Sequence, residues 1–268
     1  MTPPAPARRA PAAALALALL GAASSARAGD LFEIQVYTPE IDAPGHFGLE
    51  VHANYTPSGR STPAFPGETP PDRALRLTLE PSFGVADWLE LGFYLQSYMA
   101  PGTGVQYGGN KLRAKFVVPE RAGLPLLLGV NLEIGRVPKT VDSQGWANEI
   151  RPIIGWTDGV WLVDLNPIFG YALSGPDRFR IELEPAAKVS FNTGKGFALG
   201  LEYYATLGFA DDLAPVREQE HLLLAVFDLA APPGAPPQEW ELNVGVGAGL
   251  TPGTPQHSVV KVIFGREF

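Results

Sequence analysis

HSVVKVIFGREF, residues 257–268, ends the chain on an aromatic residue and decides how the fold is interpreted. Val260, Val262, Phe264 and Phe268 share one face of this stretch. Apolar residues at every second position indicate a β-strand with one apolar side. Because no segment follows it, this strand must pair with an earlier one, and we expect it to close a sheet.

The same alternation recurs along the chain from residue 46 onward. HFGLEVHANYT, residues 46–56, is the first such stretch, and RALRLTLEPSFG, LELGFYLQ, NKLRAKFVV, LLLGVNLEIG, NEIRPIIGW, WLVDLNPIFGY, RFRIELEPAAKVSF, FALGLEYYATLG, EHLLLAVFDL and EWELNVGVGAGL follow before the last. Each stretch is about 9 to 11 residues long, which is enough to cross a bilayer when tilted. Compact connections such as TDG and NTGK alternate with longer ones such as PSGRSTPAFPGETPPD. An even number of strands then places both chain termini at the short-turn end of the sheet.

Two folds share this alternation: a soluble sandwich or lipocalin with the apolar face inward, and a membrane barrel with that face toward lipid. Strand length, loop asymmetry and an export signal favour the second. We therefore predict an all-β protein, a closed antiparallel transmembrane β-barrel of about twelve strands over residues 46–268, in the outer membrane. Five tryptophans near predicted strand ends suit the bilayer interface: Trp88, Trp146, Trp156, Trp161 and Trp240. Closure requires the last strand to pair with residues 46–56.

The first 28 residues have the layout of a secretory signal. Arg8 and Arg9 precede an apolar stretch over residues 12–23, and Ala26-Arg27-Ala28 forms an A-x-A cleavage site. We predict a cleaved signal peptide over residues 1–28. Residues 29–45 are then expected to form either a periplasmic segment that reaches into the barrel lumen or an extra pairing at its rim.

Composition excludes several functions. A net charge of −8 disfavours nucleic acid as a partner, and the absence of cysteine excludes disulfides and thiolate chemistry. The four histidines are scattered, so no metal and no cofactor is predicted. Ser97, His221 and Asp228 supply the residue types of an outer-membrane hydrolase, but their context does not support catalysis, and no enzyme is expected.

Four phrases carry a family resemblance: FEIQVYTPEIDAPGHFGLEVHANYT, VADWLELGFYLQ, NKLRAKFVVPE and LVDLNPIFGYAL. They resemble the outer-membrane transporter family named for the meta-cleavage pathway of phenol degradation. The resemblance implies a Gram-negative outer-membrane barrel that passes small solutes, with aromatic or hydrophobic ones suggested by the family name. It also implies that the C-terminal strand, through Val260, Val262, Phe264 and Phe268, is the signal for the barrel-assembly machinery. It implies no catalytic residues.

The hydrophilic strand faces predict a lumen lined by charges of both signs. The expected lining residues are Glu50, His52, Arg76, Glu80, Lys111, Arg113, Lys115, Glu133, Arg151, Glu182, Glu184, Lys188, Glu202, Glu241 and Lys261. Opposed rows of charge across a narrow bore would orient polar solutes as they pass. Alternatively, the same charges pair laterally and fill the lumen, since about twelve strands is a borderline width. Two functions therefore stay open: a passive channel for small molecules, and a non-conducting structural barrel that presents its long loops.

Overall fold

The computed structural model describes residues 31–236 and 238–268, and the predicted signal peptide lies outside them. The described chain is all-β apart from one 3-10 turn, Glu120–Ala122. No helix in these ranges is long and apolar enough to cross a membrane. Twelve strands form the wall: β1 Phe47–Gly59, β2 Leu75–Ala86, β3 Leu89–Met99, β4 Gln106–Val117, β5 Leu127–Arg136, β6 Trp146–Thr157, β7 in segments Trp161–Asn166 and Phe169–Ala172, β8 in segments Ile181–Leu183 and Ala186–Asn192, β9 in segments Phe197–Thr206 and Gly208–Phe209, β10 Glu220–Leu229, β11 Trp240–Gly249 and β12 Gln256–Glu267. A two-residue strand, Asp212–Leu213, pairs with the end of β9.

The sheet closes through its first and last strands. β12 pairs with β11 on one side and with β1 on the other, and Gly48 faces Glu267 in the second ladder. The Phe268 amide donates to the Phe47 carbonyl at 2.7 Å and extends that ladder to the C-terminus. All pairings between named strands are antiparallel. The prediction of a closed twelve-stranded barrel is therefore confirmed.

The apolar faces point outward. Leu49 and Phe264 are exposed on the outer surface, whereas His52 and Lys261 are fully buried on the inner one. This arrangement suits a barrel whose outside meets lipid and whose lumen is polar. Lys261 therefore faces the lumen, as the alternation in β12 predicts.

Exposed aromatic rings surround the short-turn end of the barrel. Trp88 lies in the turn between β2 and β3, Trp156 near the end of β6, and Trp161 and Trp240 at the starts of β7 and β11. Trp161 packs on Phe191 and Trp240 on Phe264, with ring centroids 5.1 and 5.2 Å apart. Trp146 alone of the five tryptophans lies at the long-loop end. Such rings mark the level at which an apolar surface meets lipid headgroups.

Three prolines weaken one side of the wall at mid-height. Pro152, Pro167 and Pro185 occupy facing positions on the adjacent strands β6, β7 and β8 by the registers of the flanking pairs. Regular pairing between β6 and β7 stops where residues 151–153 face residues 166–168. Since proline has no amide hydrogen, three ladder donors are missing in one row. We call Pro152, Pro167 and Pro185 the proline seam.

The prediction of one continuous strand over residues 161–171 and another over residues 178–191 is therefore wrong about their continuity. Each is split into two segments at its proline. Some pairing survives, because the Glu184 amide donates to the Ile168 carbonyl at 3.0 Å and the Ala205 amide to the Pro185 carbonyl at 3.0 Å. The wall remains closed but has fewer backbone hydrogen bonds here than elsewhere.

Candidate functional site

The segment before β1 runs through the lumen. Residues 31–45, called the plug below, form no regular strand and lead to the short-turn rim where β1 begins. Phe32, Ile34, Val36 and Tyr37 are buried within the barrel. The barrel interior is thus filled by the chain's own N-terminal segment at this level.

Side chains of the wall hold the backbone of the plug. Asn166 accepts from the Tyr37 amide at 2.7 Å and donates to the Tyr37 carbonyl at 3.0 Å, so one amide group replaces a strand partner. Lys261 donates to the Ile34 carbonyl at 2.9 Å and Arg151 to that of Gln35 at 3.1 Å. Further donors to plug carbonyls come from Asn54, Thr78 and Lys115. These contacts reach six strands, and in each of them a wall side chain, not a ladder of backbone hydrogen bonds, holds the plug.

Tyr37 is the centre of the plug's polar contacts. The Arg151 guanidinium lies 4.2 Å from the centre of its ring, a cation–π distance. Its hydroxyl donates to Glu33 and lies 2.5 Å from the Tyr94 hydroxyl. Because ring and hydroxyl both have partners from the wall, Tyr37 fixes the plug across the middle of the lumen.

The plug is fastened again at the short-turn rim. The Ser82 hydroxyl donates to Asp42 Oδ2 at 2.5 Å, and the Asp42 amide donates to Glu90 at 2.5 Å. The Ala43 amide donates to Glu267 at 3.1 Å. Burial raises the pKa of Asp42 to about 6, with the carboxylates of Glu90 and Glu267 acting in the same direction and Ser82 and Arg113 opposing them.

The Asp42→Asn variant is expected to lose part of the pH dependence of unfolding. The pKa of Asp42 is higher in the folded protein than its ordinary 3.8, so the folded protein holds this proton more tightly than the unfolded chain does. The carboxyl therefore contributes to the free energy of unfolding at low pH, and this contribution is lost as the pH rises through about 6. Thermal unfolding in detergent at about pH 5 and about pH 7 measures this. The difference between the two unfolding temperatures should shrink in Asp42→Asn, and an unchanged difference would show that this carboxyl does not titrate in the window.

The predicted lining residues lie on inward strand faces. Most are buried, Glu50, Glu184 and Lys188 are half-buried, and Glu241 is exposed at the short-turn mouth. The cations of β4 pair with acids on nearby strands: Lys111 lies 2.9 Å from Glu133, and Arg113 lies 2.7 Å from Glu90. The charges of the lumen therefore pair laterally and do not form two opposed rows.

Several inward residues are apolar and were not predicted. Leu222, Leu224 and Val226 of β10 form a buried cluster with Val259 and the plug residue Ile34. The run LLLAV in β10 is apolar on both faces, which is the one signal for this cluster in the sequence. It shows that part of the lumen wall is built to receive the apolar side of the plug.

A cavity of about 380 Å³ lies between the plug and the long loops. Its walls include eight carboxylates and four cationic side chains, together with the rings of Phe32, Phe65, Tyr98 and Phe209. We call it the mouth cavity. Its excess of negative charge disfavours anionic solutes, and its rings provide surface for aromatic ones.

The residue types of a hydrolase are not assembled. Ser97 lies on the outward face of β3, while Asp228 points into the lumen from β10 and accepts from Lys188 at 2.7 Å. His221 is engaged by Tyr203 at 2.5 Å and by Gln219 at 3.0 Å. These three residues therefore form no catalytic set.

Comparison with known proteins places the fold. No family model and no curated protein matches the chain. Among solved structures, the COG4313 outer membrane channel from Pseudomonas putida F1 is similar over 88% of this chain and 100% of that one, with a TM-score of 0.58 and 14% identity. The match to the KdgM porin covers 82% of this chain and 99% of the porin chain, and the match to the NanC porin covers 82% and 98%. Each has a TM-score of 0.52 and 11% identity. The protein therefore has the fold of these outer-membrane channels and porins.

Proposed function

We propose that the protein is a passive outer-membrane channel for small apolar or aromatic molecules, closed at rest by the plug. The observation that carries this proposal is an apolar patch on the inner side of the proline seam. Val36 of the plug packs there with Ile168, Ala186 and Tyr204. Together with the apolar cluster on β10, this patch favours apolar solutes over ions in a lumen that is elsewhere lined by paired charges.

The patch and the seam together offer a path sideways through the wall. All three prolines lie on outward faces, and Ile168 and Ala186 lie directly inside them. Separating two strands costs less where ladder hydrogen bonds are already missing, because each lost bond would otherwise leave unpaired groups in lipid. A solute that enters the mouth cavity and displaces the plug can therefore leave through the seam into the bilayer.

Restoring the missing donors should slow this route. In cells that produce the Pro152→Val/Pro167→Val variant, uptake of the apolar fluorescent amine N-phenylnaphthylamine should fall several-fold relative to wild type, because valine supplies amide hydrogens and suits a strand. Pro57→Val, at an exposed position of β1, is the matched control and should leave uptake unchanged. Equal uptake by wild type and the seam variant would contradict the lateral route.

The filled lumen favours a second function, a structural barrel that conducts nothing. Its longest connection, residues 60–74, is ordered by an Arg60–Glu68 ion pair at 2.8 Å and by the Thr69 amide bound to the Thr140 carbonyl at 2.8 Å. Such a loop suits presentation at the cell exterior. Absence of both solute uptake and ion conductance in folded protein would favour this function over the channel.

The proposal includes insertion by the barrel-assembly machinery. Val260 and Phe264 are exposed on the outer face of β12, with Val262 half-buried between them and Phe268 exposed at the end of the chain. Phe268→Ala should reduce the amount of heat-modifiable barrel recovered from outer membranes while leaving refolding in detergent intact. A loss of both would assign the effect to stability instead of recognition.

A further inference from the structure

Two carboxylates and a histidine converge on the lumen wall beside the plug. Glu50 of β1 stands directly opposite Glu80 of β2, an arrangement of like charges that destabilises a strand pair unless a cation lies between them. The fully buried His52 directs Nε2 toward both, at 3.3 Å from Glu50 Oε2 and 3.0 Å from Glu80 Oε2. Three ligand atoms thus point at one place.

The surrounding charges leave this place negative. Arg113 is shared between Glu80, at 2.9 Å, and Glu90, at 2.7 Å, while Lys115 donates to the Glu40 carbonyl. Glu241 of β11 adds a further acidic group on the side of Glu50, since both approach the same Cβ position at Gly265. Four acidic side chains therefore surround the basic side chains of Arg113 and Lys115, and this excess of acidic groups favours a bound cation.

A glycine makes room for the carboxylate that faces the lumen. A Cβ at Gly265 would lie 2.8 Å from Glu50 Cγ and 3.6 Å from Glu241 Oε2. The space next to Glu50 therefore depends on the absence of a side chain on β12. Glu50 is only half-buried, so an ion can reach the site from the lumen.

The separations of the ligand atoms fit a small transition-metal ion. Zinc at about 2.0 to 2.1 Å from each of four tetrahedral ligands holds those ligands about 3.3 Å apart. The distances from His52 Nε2 to the two carboxylates, 3.3 and 3.0 Å, are close to this value. A mixed nitrogen and carboxylate set is among those that zinc accepts.

The plug supplies a fourth donor. The Gln35 side-chain amide lies 3.4 Å from Glu50 Oε2, and its oxygen is buried without a hydrogen-bond partner. Turning that amide by half a rotation exchanges its nitrogen for its oxygen beside Glu50 Oε2, one of the three ligand atoms. The orientation of such an amide is set by its partners, and a cation would select the oxygen.

We propose that Glu50, His52 and Glu80 bind a divalent zinc-class ion, with Gln35 of the plug as the fourth ligand. The ion replaces the proton that would otherwise lie between His52 and the carboxylates, and it joins β1 and β2 to the plug. Metal binding therefore holds the plug in the lumen. This site is separate from the apolar patch, and its occupancy does not depend on which solute the channel passes.

Zinc binding to the untagged barrel in detergent tests the site directly. Competition with a chromophoric chelator should show one Zn²⁺ per chain, and Co²⁺ should give the visible absorption of a tetrahedral site. His52→Ala should weaken the affinity by at least about 100-fold, since even partners outside the ligand set are worth about 10- to 100-fold. Glu50→Gln should weaken it in the same direction, and His257→Ala, an exposed histidine on β12, should not.

Other results would contradict the metal site or its fourth ligand. Heat-modifiable migration shows that each variant is folded, so a loss of zinc cannot be assigned to misfolding. Absence of stoichiometric zinc in wild type, or equal affinity in wild type, His52→Ala and Glu50→Gln, would overturn the site. Equal affinity in Gln35→Ala would overturn the assignment of the fourth ligand. None of these readouts uses transport, so their failure is distinguishable from failure of the channel proposal.

Discussion

Deleting residues 31–41 is expected to raise the single-channel conductance several-fold. The plug fills the lumen and is held by side chains from six strands, while the wall closes on its own through the β1–β12 ladder. Without the plug, the lumen of this barrel of about twelve strands is no longer filled and admits water and ions. Planar-bilayer recordings of the refolded deletion variant beside the full chain measure the change.

A point variant makes the same test with the plug retained. Asn166→Leu removes both hydrogen bonds to the backbone of Tyr37 and should therefore increase the frequency of channel openings. The conductance of each opening should not exceed that of the deletion variant. Asn110→Leu, on β4, serves as the control for an amide replaced within the wall, because the Asn110 side chain accepts from the Tyr107 hydroxyl of the same strand. A deletion variant that is heat-modifiable yet conducts no more than the full chain would refute the plug as the closing element.

Glu202→Leu is expected to lower the free energy of unfolding by about 3–5 kcal/mol, the usual cost of removing one partner of a buried ion pair. Glu202 accepts from Lys261, whose ammonium is fully buried, and lies 3.4 Å from Lys188. Lys188 keeps Asp228 at 2.7 Å, but among the described residues Lys261 keeps only the Ile34 carbonyl and, at 3.4 Å, the Tyr204 hydroxyl as hydrogen-bond partners. An uncompensated charge inside the barrel causes the loss.

The double variant Glu202→Leu/Lys261→Met separates this cause from a packing defect. Because it removes the orphaned charge along with its partner, it should recover most of the lost stability in urea unfolding from lipid vesicles. Glu239→Leu is the control, since Glu239 is exposed and lies 3.7 Å from Arg266 at the rim. If the double variant is as unstable as Glu202→Leu alone, the buried ammonium is not the source of the loss.

Much of the wall could be predicted because a strand's side chains alternate with a period of two. In HFGLEVHANYT and SVVKVIFGREF that period assigns Leu49 and Phe264 to lipid and His52 and Lys261 to the lumen. The demand that every backbone group in lipid be paired then requires these two stretches to meet, as they do. The strand number follows from counting turns, and none of this depends on contacts between distant residues.

The inward apolar residues show where this reasoning fails. In EHLLLAVFDL both faces are apolar, so the alternation does not reveal that Leu222, Leu224 and Val226 line the lumen. They are inside because Ile34 of the plug covers them, and that contact joins residues 188 or more positions apart in the chain. A pattern within one strand carries no information about what crosses the lumen.

The sequence by itself therefore determined that the chain forms a barrel, that the barrel closes, and which wall residues alternate between lipid and lumen, since local alternation and backbone pairing are enough to decide these points. Only the tertiary structure decided that residues 31–45 fill the lumen, because their hydrogen bonds go to side chains on strands spread along the whole chain. It also decided that Pro152, Pro167 and Pro185 form one row, since that depends on the registers of three strands. Alignment across strands is set by packing around the closed barrel, and so the seam and the plug appear only when the barrel is complete.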